Sequence, residues 1–374
     1  MKMIFISNNW ADAHQQTRLQ ALSKLNLSII SIAALRNYYS VKSPFNSIFI
    51  GNMRHASYRK RVNIYFQLLY QLTKQTERND FIYAFGFDLM LVCLFFKTIS
   101  GKRIKVIYEV PDIRELFFSK SIRGKLIRVI EKIAIPKINL LVATSPNFIS
   151  EYYIEFRKIS VPDFLIIENK IHLTEIEKSL GLPVSIIPDH TRKIRIGYFG
   201  VLRCPASLDC LIKLSRNGRF EVILQGIFMP LTKHYEKVIQ DEKHIHYLGT
   251  YQSPKDLNLI YSKVDIVWAV YPFSKNLIGN HLFARTNRFY ECLFFKKPFI
   301  VQKGTADAKK VVLLGNIALE INLENEDKVV EFLAAHINPQ NLVSMKKQLH
   351  LVPEKHYQIT NEYKDLGKWL QLNR

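Results

Sequence analysis

Between Asn280 and Thr305 the chain reads NHLFARTNRFYECLFFKKPFIVQKGT, and residue types and spacing there suit one kind of chemistry. Asn287 and Arg288 open an apolar helix, Glu291 follows one turn inside it, and Pro298 introduces a strand over Phe299–Val301. A helix N-terminus carries unpaired backbone N–H groups and a partial positive charge, which suits a phosphate. A carboxylate one turn in can accept hydrogen bonds from the vicinal hydroxyls of a sugar, and Arg288 adds a cation. The combination fits a nucleotide diphosphate, so a nucleotide-sugar site is expected here. The plainer reading of Glu291 is an acid that favours the first turn of its helix.

A second group lies upstream. Gly197, Gly200 and Arg203 follow the start of an apolar strand, Ile194–Phe199, that is expected to end in a glycine turn. Glycines there let backbone amides approach a pyrophosphate, and arginine can bind it in bidentate fashion. Glycines that serve only the turn are the alternative.

Such residues need a scaffold that gathers strand ends and helix starts. In the first half, strands are expected at Met3–Ser7, Ser28–Ile32, Ser47–Ile50, Phe81–Phe85, Lys105–Glu109, Leu140–Thr144 and Phe164–Glu168, with helices between most of them. Leu182–Lys193 has two prolines and a polar end and reads as a linker. A second series follows at Ile194–Phe199, Phe220–Gln225, His244–Tyr247, Ile266–Val270, Phe299–Val301 and Ala318–Ile321. The last helix is expected over His356–Leu372, with Tyr357, Ile359, Tyr363, Leu366, Trp369 and Leu370 as its apolar positions. Alternation of this sort implies α/β architecture: two Rossmann-like parallel-sheet domains facing a central cleft. Ligands bind such sheets at the carboxyl ends of their strands.

Composition narrows the partners. At 374 residues, 48% of them hydrophobic and 23% charged, the chain has material for two cores and no signature of disorder. Cys93, Cys204, Cys210 and Cys292 form no CxxC pair, and the N-terminus MKMIFISNN lacks the pattern of a signal peptide, so a cytoplasmic location is expected. The net charge of +21 is concentrated: residues 54–137 hold 17 Lys and Arg against 7 Asp and Glu. That excess coincides with two amphipathic segments. Asn63–Thr73 follows the basic run Arg59, Lys60 and Arg61. Ser119–Ile138 places Leu126, Ile127, Ile130, Ile133 and Ala134 at helical spacing among Lys120, Arg123, Lys125, Arg128 and Lys132. Helices of this kind can rest on an anionic leaflet, here the inner face of the plasma membrane; an ordinary solvated basic face is the alternative. No nucleic-acid motif accompanies the charge, and no segment reads as a transmembrane helix.

Several stretches carry a family resemblance: IRIGYFGVLR, HYLGTYQSPKDLNLIYSKVDIVWAVYP and TNRFYECLFFKKPFIVQKGT, with KVIYEVPDIRELF and LLVATSPNFISEYY in the first half. In that order and spacing they resemble the GT-B glycosyltransferases, most closely the bacterial family 4 (group 1) type. The resemblance implies an N-terminal acceptor-binding domain (1–181), a linker (182–193) and a nucleotide-sugar-binding domain (194–353). It also implies a C-terminal helix (354–374) crossing back to the first domain. It further implies donor contacts at Gly200, Arg203, Arg285, Asn287 and Arg288, ribose binding by Glu291, and contact of the donor's base by the loops carrying Tyr251 and Tyr271. Ordinary packing is the alternative for those two tyrosines.

Two positions depart from the family pattern. Retaining members have a glutamate eight residues before the ribose-binding one, where this chain has Phe283; Asn280, His281 and Arg285 are the polar residues nearby. They also show a histidine just before the aspartate of EVPDIREL, where this chain has Pro111. Both departures favour inversion, in which one general base deprotonates the acceptor hydroxyl. Asp112 is the candidate base and Glu109 the second; Asp112 as the cap of a helix over Ile113–Phe118 is the alternative. The expected activity is sugar transfer from a nucleotide diphosphate sugar to a saccharide or lipid-linked acceptor in surface polysaccharide synthesis, with no metal and no other cofactor. A non-catalytic GT-B protein that binds a ligand or partner is the rival.

Overall fold

The computed structural model describes residues 1–35, 45–53, 61–172, 193–272 and 278–374. Arg59, Lys60 and, save for Lys193, the expected linker lie outside these residues. The chain divides into two units, Met1–Glu168 with Thr360–Arg374, and Asn169–Ile359.

The first unit is built on strands β1 (Lys2–Ser7), β2 (Ser28–Leu35), β3 (Ser47–Asn52), β4 (Phe81–Phe85), β5 (Lys105–Val110), β6 (Leu140–Ala143) and β7 (Asp163–Ile166). They form one sheet in the order β3-β2-β1-β4-β5-β6-β7, every neighbouring pair parallel. Helices α1 (Ala13–Ser23), α2 (Val62–Gln75), α3 (Phe87–Ser100) and α4 (Ile122–Ala134) alternate with the strands. A parallel sheet covered on both faces needs continuous apolar runs, and all five residues of β4 (FIYAF) are buried. Asp12 starts α1 by accepting the backbone N–H of Gln15. The strand order reverses between β1 and β4, which makes their carboxyl ends the place where such a sheet holds a ligand.

The second unit repeats the plan with β8 (Ile194–Leu202), β9 (Phe220–Phe228), β10 (Ile245–Tyr247), β11 (Ile266–Trp268), β12 (Phe299–Gln302) and β13 (Ala318–Ile321). The order is β10-β9-β8-β11-β12-β13, again all parallel, with the reversal between β8 and β11. Its helices are α5 (Pro205–Arg216), α6 (Tyr235–Gln240), α7 (Leu257–Ser262), α8 (Asn287–Phe294), α9 (Ala306–Leu314), α10 (Glu326–His336) and α11 (Pro339–Leu351). Alternate strand residues serve opposite faces: Ile196, Tyr198, Trp268 and Ile300 enter one core, Phe199, Val267, Phe299 and Val301 the other.

Every strand expected from the sequence is present, its ends shifted by at most three residues. Three local expectations are corrected. Strand β8 does not end in a glycine turn; it continues to Leu202, with Gly200 (φ +97°) paired to Gly226 (φ +146°). A Cβ on Gly226 would sit 1.8 Å from the Gly200 carbonyl oxygen, so the two backbones pass at a distance only glycine permits. The last helix, α12 (Glu362–Leu372), starts six residues later than expected. Tyr357 and Ile359 instead flank a parallel bridge between Gln358 and Ile171, and Tyr357 joins the core of the second unit. Their two-residue spacing suits extended chain. Finally, Ile113–Phe118 holds only a 3₁₀ turn at Glu115–Phe117, with Arg114 rather than Asp112 at its N-cap position and no side-chain cap.

Candidate functional site

In the second unit α8 begins beneath the ends of β8 and β11. Thr286 is its N-cap, accepting the Phe289 N–H through Oγ1 at 3.2 Å. Asp307, in the first turn of α9, holds that cap from outside, accepting the Thr286 N–H at 3.2 Å and bonding its hydroxyl at 2.7 Å. Burial pushes the Asp307 carboxyl up to about 7, outweighing the Thr286 hydrogen bonds and the nearby charges of Arg285 and Arg288. The sequence held no sign of this anchor.

Arg288 is fixed by backbone carbonyls. Its Nη1 donates to Phe199 O at 3.2 Å and its Nη2 to Val270 O at 3.2 Å, while its guanidinium carbon lies 5.0 Å above the Tyr198 ring. Those carbonyls belong to β8 and the residues just past β11, so a permanent cation stands at the reversal of the strand order. Glu291, one turn further, is buried, and its Oε2 accepts the Tyr261 hydroxyl at 2.6 Å. Burial raises the Glu291 pKa against the opposing pull of Tyr261 and Arg288. Tyr261 was not among the residues expected here; a hydroxyl on α7 facing a carboxylate on α8 leaves no mark in local sequence.

The remaining expected residues fall around this centre. Arg203 is exposed, its guanidinium 5.9 Å from the Tyr271 ring, whose hydroxyl accepts Asn280 Nδ2 at 2.9 Å. Tyr251 is partly buried, its hydroxyl 3.7 Å from where a Cβ on Gly200 would be. Asn287 is exposed and accepts Asn169 Nδ2 at 3.0 Å. Arg285 is partly buried beside the cap, and Phe283, where resembling retaining enzymes have a glutamate, is packed into the unit. Gly197 answers to packing: a Cβ there would come within 2.5 Å of the Phe199 ring. Chemically, the arrangement offers backbone N–H groups and two arginines to an anion, and one carboxylate to hydroxyl groups.

In the first unit Glu109 ends up fully enclosed at the end of β5. Its Oε1 meets His14 Nε2 at 2.9 Å and Arg18 Nη2 at 2.7 Å; its Oε2 accepts Arg18 Nε at 2.9 Å and the Tyr83 hydroxyl. Burial alone would raise this carboxyl, but the Arg18 charge and the His14 and Arg18 hydrogen bonds hold it at about 2. Arg18 also donates to the Tyr363 hydroxyl at 2.6 Å, which ties α12 to the same cluster. Sequence reasoning missed both His14 and Arg18. Asp112 is exposed on the loop after β5.

The outer helices of this unit show a second surface. A groove of about 410 Å³ runs between α2, α3 and α4, lined by Tyr65, Leu69, Leu91, Phe95, Phe117 and Ile127. On α4, Ile122, Leu126, Val129 and Ile133 are 85%, 59%, 56% and 56% exposed, one outward stripe at helical spacing. The helix therefore has two apolar faces, since Ala134 is buried and Ile127 and Ile130 partly so. Arg123, Lys125 and Lys132 flank the outward stripe, whereas Arg128 turns back to the carbonyls of Phe117 and Ser119 at 3.1 and 2.6 Å. No helix among the described residues is long and apolar enough to cross a membrane.

No family model matches the chain. It is 29% identical over 301 residues to the succinoglycan biosynthesis protein ExoL of Rhizobium meliloti (strain 1021), covering 78% of this chain and 72% of that one. Anabaena HepE in complex with UDP and glucose superposes with a TM-score of 0.69 at 13% identity, covering 100% of both chains. Sucrose-phosphate synthase from Thermosynechococcus elongatus gives 0.68 at 10% identity, covering 100% of this chain and 99% of that one. WaaG, a glycosyltransferase involved in lipopolysaccharide biosynthesis, gives 0.67 at 11% identity, covering 98% and 99%. The chain has the GT-B fold of these structures.

Proposed function

We propose that the chain transfers a sugar from a nucleotide diphosphate donor to a lipid-linked saccharide acceptor during surface polysaccharide assembly. The observation that carries this reading is the pairing of Arg288 with Glu291 at the start of α8, below the ends of β8 and β11. Arg288, Arg203 and the helix N-terminus meet the diphosphate, and Glu291 takes the ribose hydroxyls through Oε1, since Tyr261 occupies Oε2. Support for the substrate class comes from ExoL, named for succinoglycan biosynthesis, and from HepE, solved with UDP-glucose. The reaction needs no metal in this scheme: arginines and backbone dipoles neutralise the departing diphosphate. With Phe283 buried where a polar group would face the sugar, the scheme is inverting, and one general base takes the acceptor's proton.

Calorimetry and release of nucleoside diphosphate across a panel of nucleotide sugars test the reading. Binding of at least one donor with turnover on a saccharide acceptor supports it. Absence of binding at millimolar donor sinks it, and binding without turnover under any acceptor leaves a non-catalytic GT-B protein.

The reading extends to a cytoplasmic location on the inner face of the plasma membrane. The outward stripe of α4 with its flanking cations supports an anionic leaflet as partner. Each basic residue near such a surface contributes about 1 kcal/mol. Reversing Arg123, Lys125 and Lys132 to glutamate should therefore lower partitioning onto phosphatidylserine vesicles by at least ~10²-fold. Flotation unchanged by that triple reversal would return α4 to an ordinary solvated face.

A further inference from the structure

We propose that the groove between α2, α3 and α4 seats the hydrocarbon chain of a single-chain lipid phosphate, the carrier of the acceptor saccharide, with the phosphate against Arg114; this rests on the lipid-linked acceptor of the reading above. The groove lies wholly within the first unit. Asp88, in the first turn of α3, sits at its polar end. The carboxylate Oδ2 accepts Arg61 Nη1 at 2.6 Å and the Tyr65 hydroxyl at 3.0 Å, and Oδ1 accepts Arg114 Nη2 at 3.1 Å. Two guanidinium groups against one carboxylate leave this cluster a net positive charge. The Arg61 side chain is only 3% exposed, whereas that of Arg114 is 30% exposed and lines the groove. The surplus charge is therefore offered to a ligand by Arg114, in a group whose planar fork suits phosphate oxygens. Because α3 follows β4 directly, the charged end lies beside the carboxyl edge of the sheet, where such sheets hold ligands.

Away from that end the groove changes character. From Asp88 to Phe95 the helix advances about 10 Å. The described walls along this stretch are apolar, Leu69, Leu91, Val92 and Ile127 among them. Phe95 marks the far end and is 55% exposed, with Ile99 one turn on at 61%. On α2, Phe66 and Tyr70 are 66% and 60% exposed, again one turn apart. On α4, the exposed Leu126 stands next to Ile127 of the groove wall. Three neighbouring helices thus carry outward apolar side chains around one opening. A chain drawn from an apolar phase can enter there without crossing water.

The shape and the charge select the occupant. A cation at one end, an apolar channel and an apolar mouth match an anionic head on a hydrocarbon tail. About 410 Å³ falls within the range of small-molecule pockets, and one groove holds one chain. A two-chain phospholipid would leave its second chain outside. Each methylene withdrawn from water favours binding by about 4-fold, so the groove discriminates by chain length.

Calorimetry on the full chain with soluble probes tests this. Geranyl phosphate should bind at least ~10²-fold tighter than dimethylallyl phosphate, and also tighter than geraniol, inorganic phosphate and dihexanoyl phosphatidylserine. Leu91→Trp, which fills the groove, should weaken geranyl phosphate by at least ~10-fold, with Leu69→Trp as the second such variant should the first not fold. Arg114→Gln should weaken geranyl phosphate by about 10-fold and leave geraniol unchanged. Equal affinity for geranyl and dimethylallyl phosphate, or an unaltered affinity in a folded tryptophan variant, overturns the proposal. Tighter binding of dihexanoyl phosphatidylserine overturns the acceptor carrier in favour of a leaflet phospholipid. A parent chain that binds nucleotide sugars but not geranyl phosphate overturns this inference and leaves transfer standing. A parent that binds geranyl phosphate but no nucleotide sugar overturns transfer, and with it the lipid's role as acceptor carrier.

Discussion

Replacing Arg18 by methionine should lower the stability of the fold by about 3–5 kcal/mol, the usual result of leaving a buried charge without its partner. Arg18 and Glu109 are both essentially inaccessible, at 1% and 0% side-chain exposure, and two of the guanidinium nitrogens address the carboxylate. Among the described residues, removing the cation leaves Glu109 with His14 and Tyr83, neither of which matches a full charge. Methionine fills much of the volume, so a cavity does not account for the loss. The double variant Arg18→Met with Glu109→Gln should recover a large part of it, because no orphaned charge remains. The pH dependence has a definite sign. Glu109 is held at about 2 against an ordinary 4.5, so its contribution is present above pH 4.5 and is lost as pH falls through about 2. Denaturant unfolding of the single and double variants at pH 7 and in acid checks both statements. A single-variant loss below about 1 kcal/mol would show that the pair is not held as described.

What the sequence disclosed and what it hid divide along the range of the interactions. Strand β4 was legible to the residue, because a strand buried on both faces must be a short continuous apolar run. The start of α8 was also legible, since Thr286 before an apolar helix is a local signal for a cap. The pairs that hold the candidate residues within each unit were not. Thr286 with Asp307, Tyr261 with Glu291 and His14 with Glu109 are separated by 21, 30 and 95 residues, and only the fold brings them together. Helix α4 shows a subtler limit. Leu126, Ile127, Ile130, Ile133 and Ala134 fit a helical period, yet Leu126 and Ile133 face outward while Ala134 faces in. A helix apolar on two sides satisfies the same count as one with a single wide face, so periodicity alone does not choose between them. Gly226 escaped for a similar reason: its need for a missing side chain arises from Gly200 on the neighbouring strand.

The second large effect belongs to Glu291. Glu291→Gln should weaken nucleotide-diphosphate binding by about 10–100-fold, the loss of a charged acceptor to the ribose hydroxyls being worth about 1.5–3 kcal/mol. Stability should move the other way. Burial raises the Glu291 pKa above its ordinary value, so the folded chain binds that proton more tightly than the unfolded one. Its favourable contribution is therefore complete below the unfolded pKa and disappears as pH rises through the folded one. Glutamine escapes the penalty that burial places on the charged form of the acid, and its carbonyl can still accept the Tyr261 hydroxyl. The variant should be as stable as the parent or more so, and its stability should fall less as pH rises. A carboxylate that the fold holds at a cost, and whose removal harms only binding, is the signature of a ligand-directed group. Tyr261→Phe separates the possibilities further, because it frees Oε2 without removing the charge. Donor affinity in that variant should stay closer to the parent than in Glu291→Gln, since the acceptor itself survives. Calorimetric titration of UDP and thermal unfolding from pH 5 to 8 on the three chains decide the matter. Equal UDP affinity in parent and Glu291→Gln, or a Glu291→Gln chain that melts well below the parent, would make Glu291 a structural acid and remove the ribose contact from the scheme.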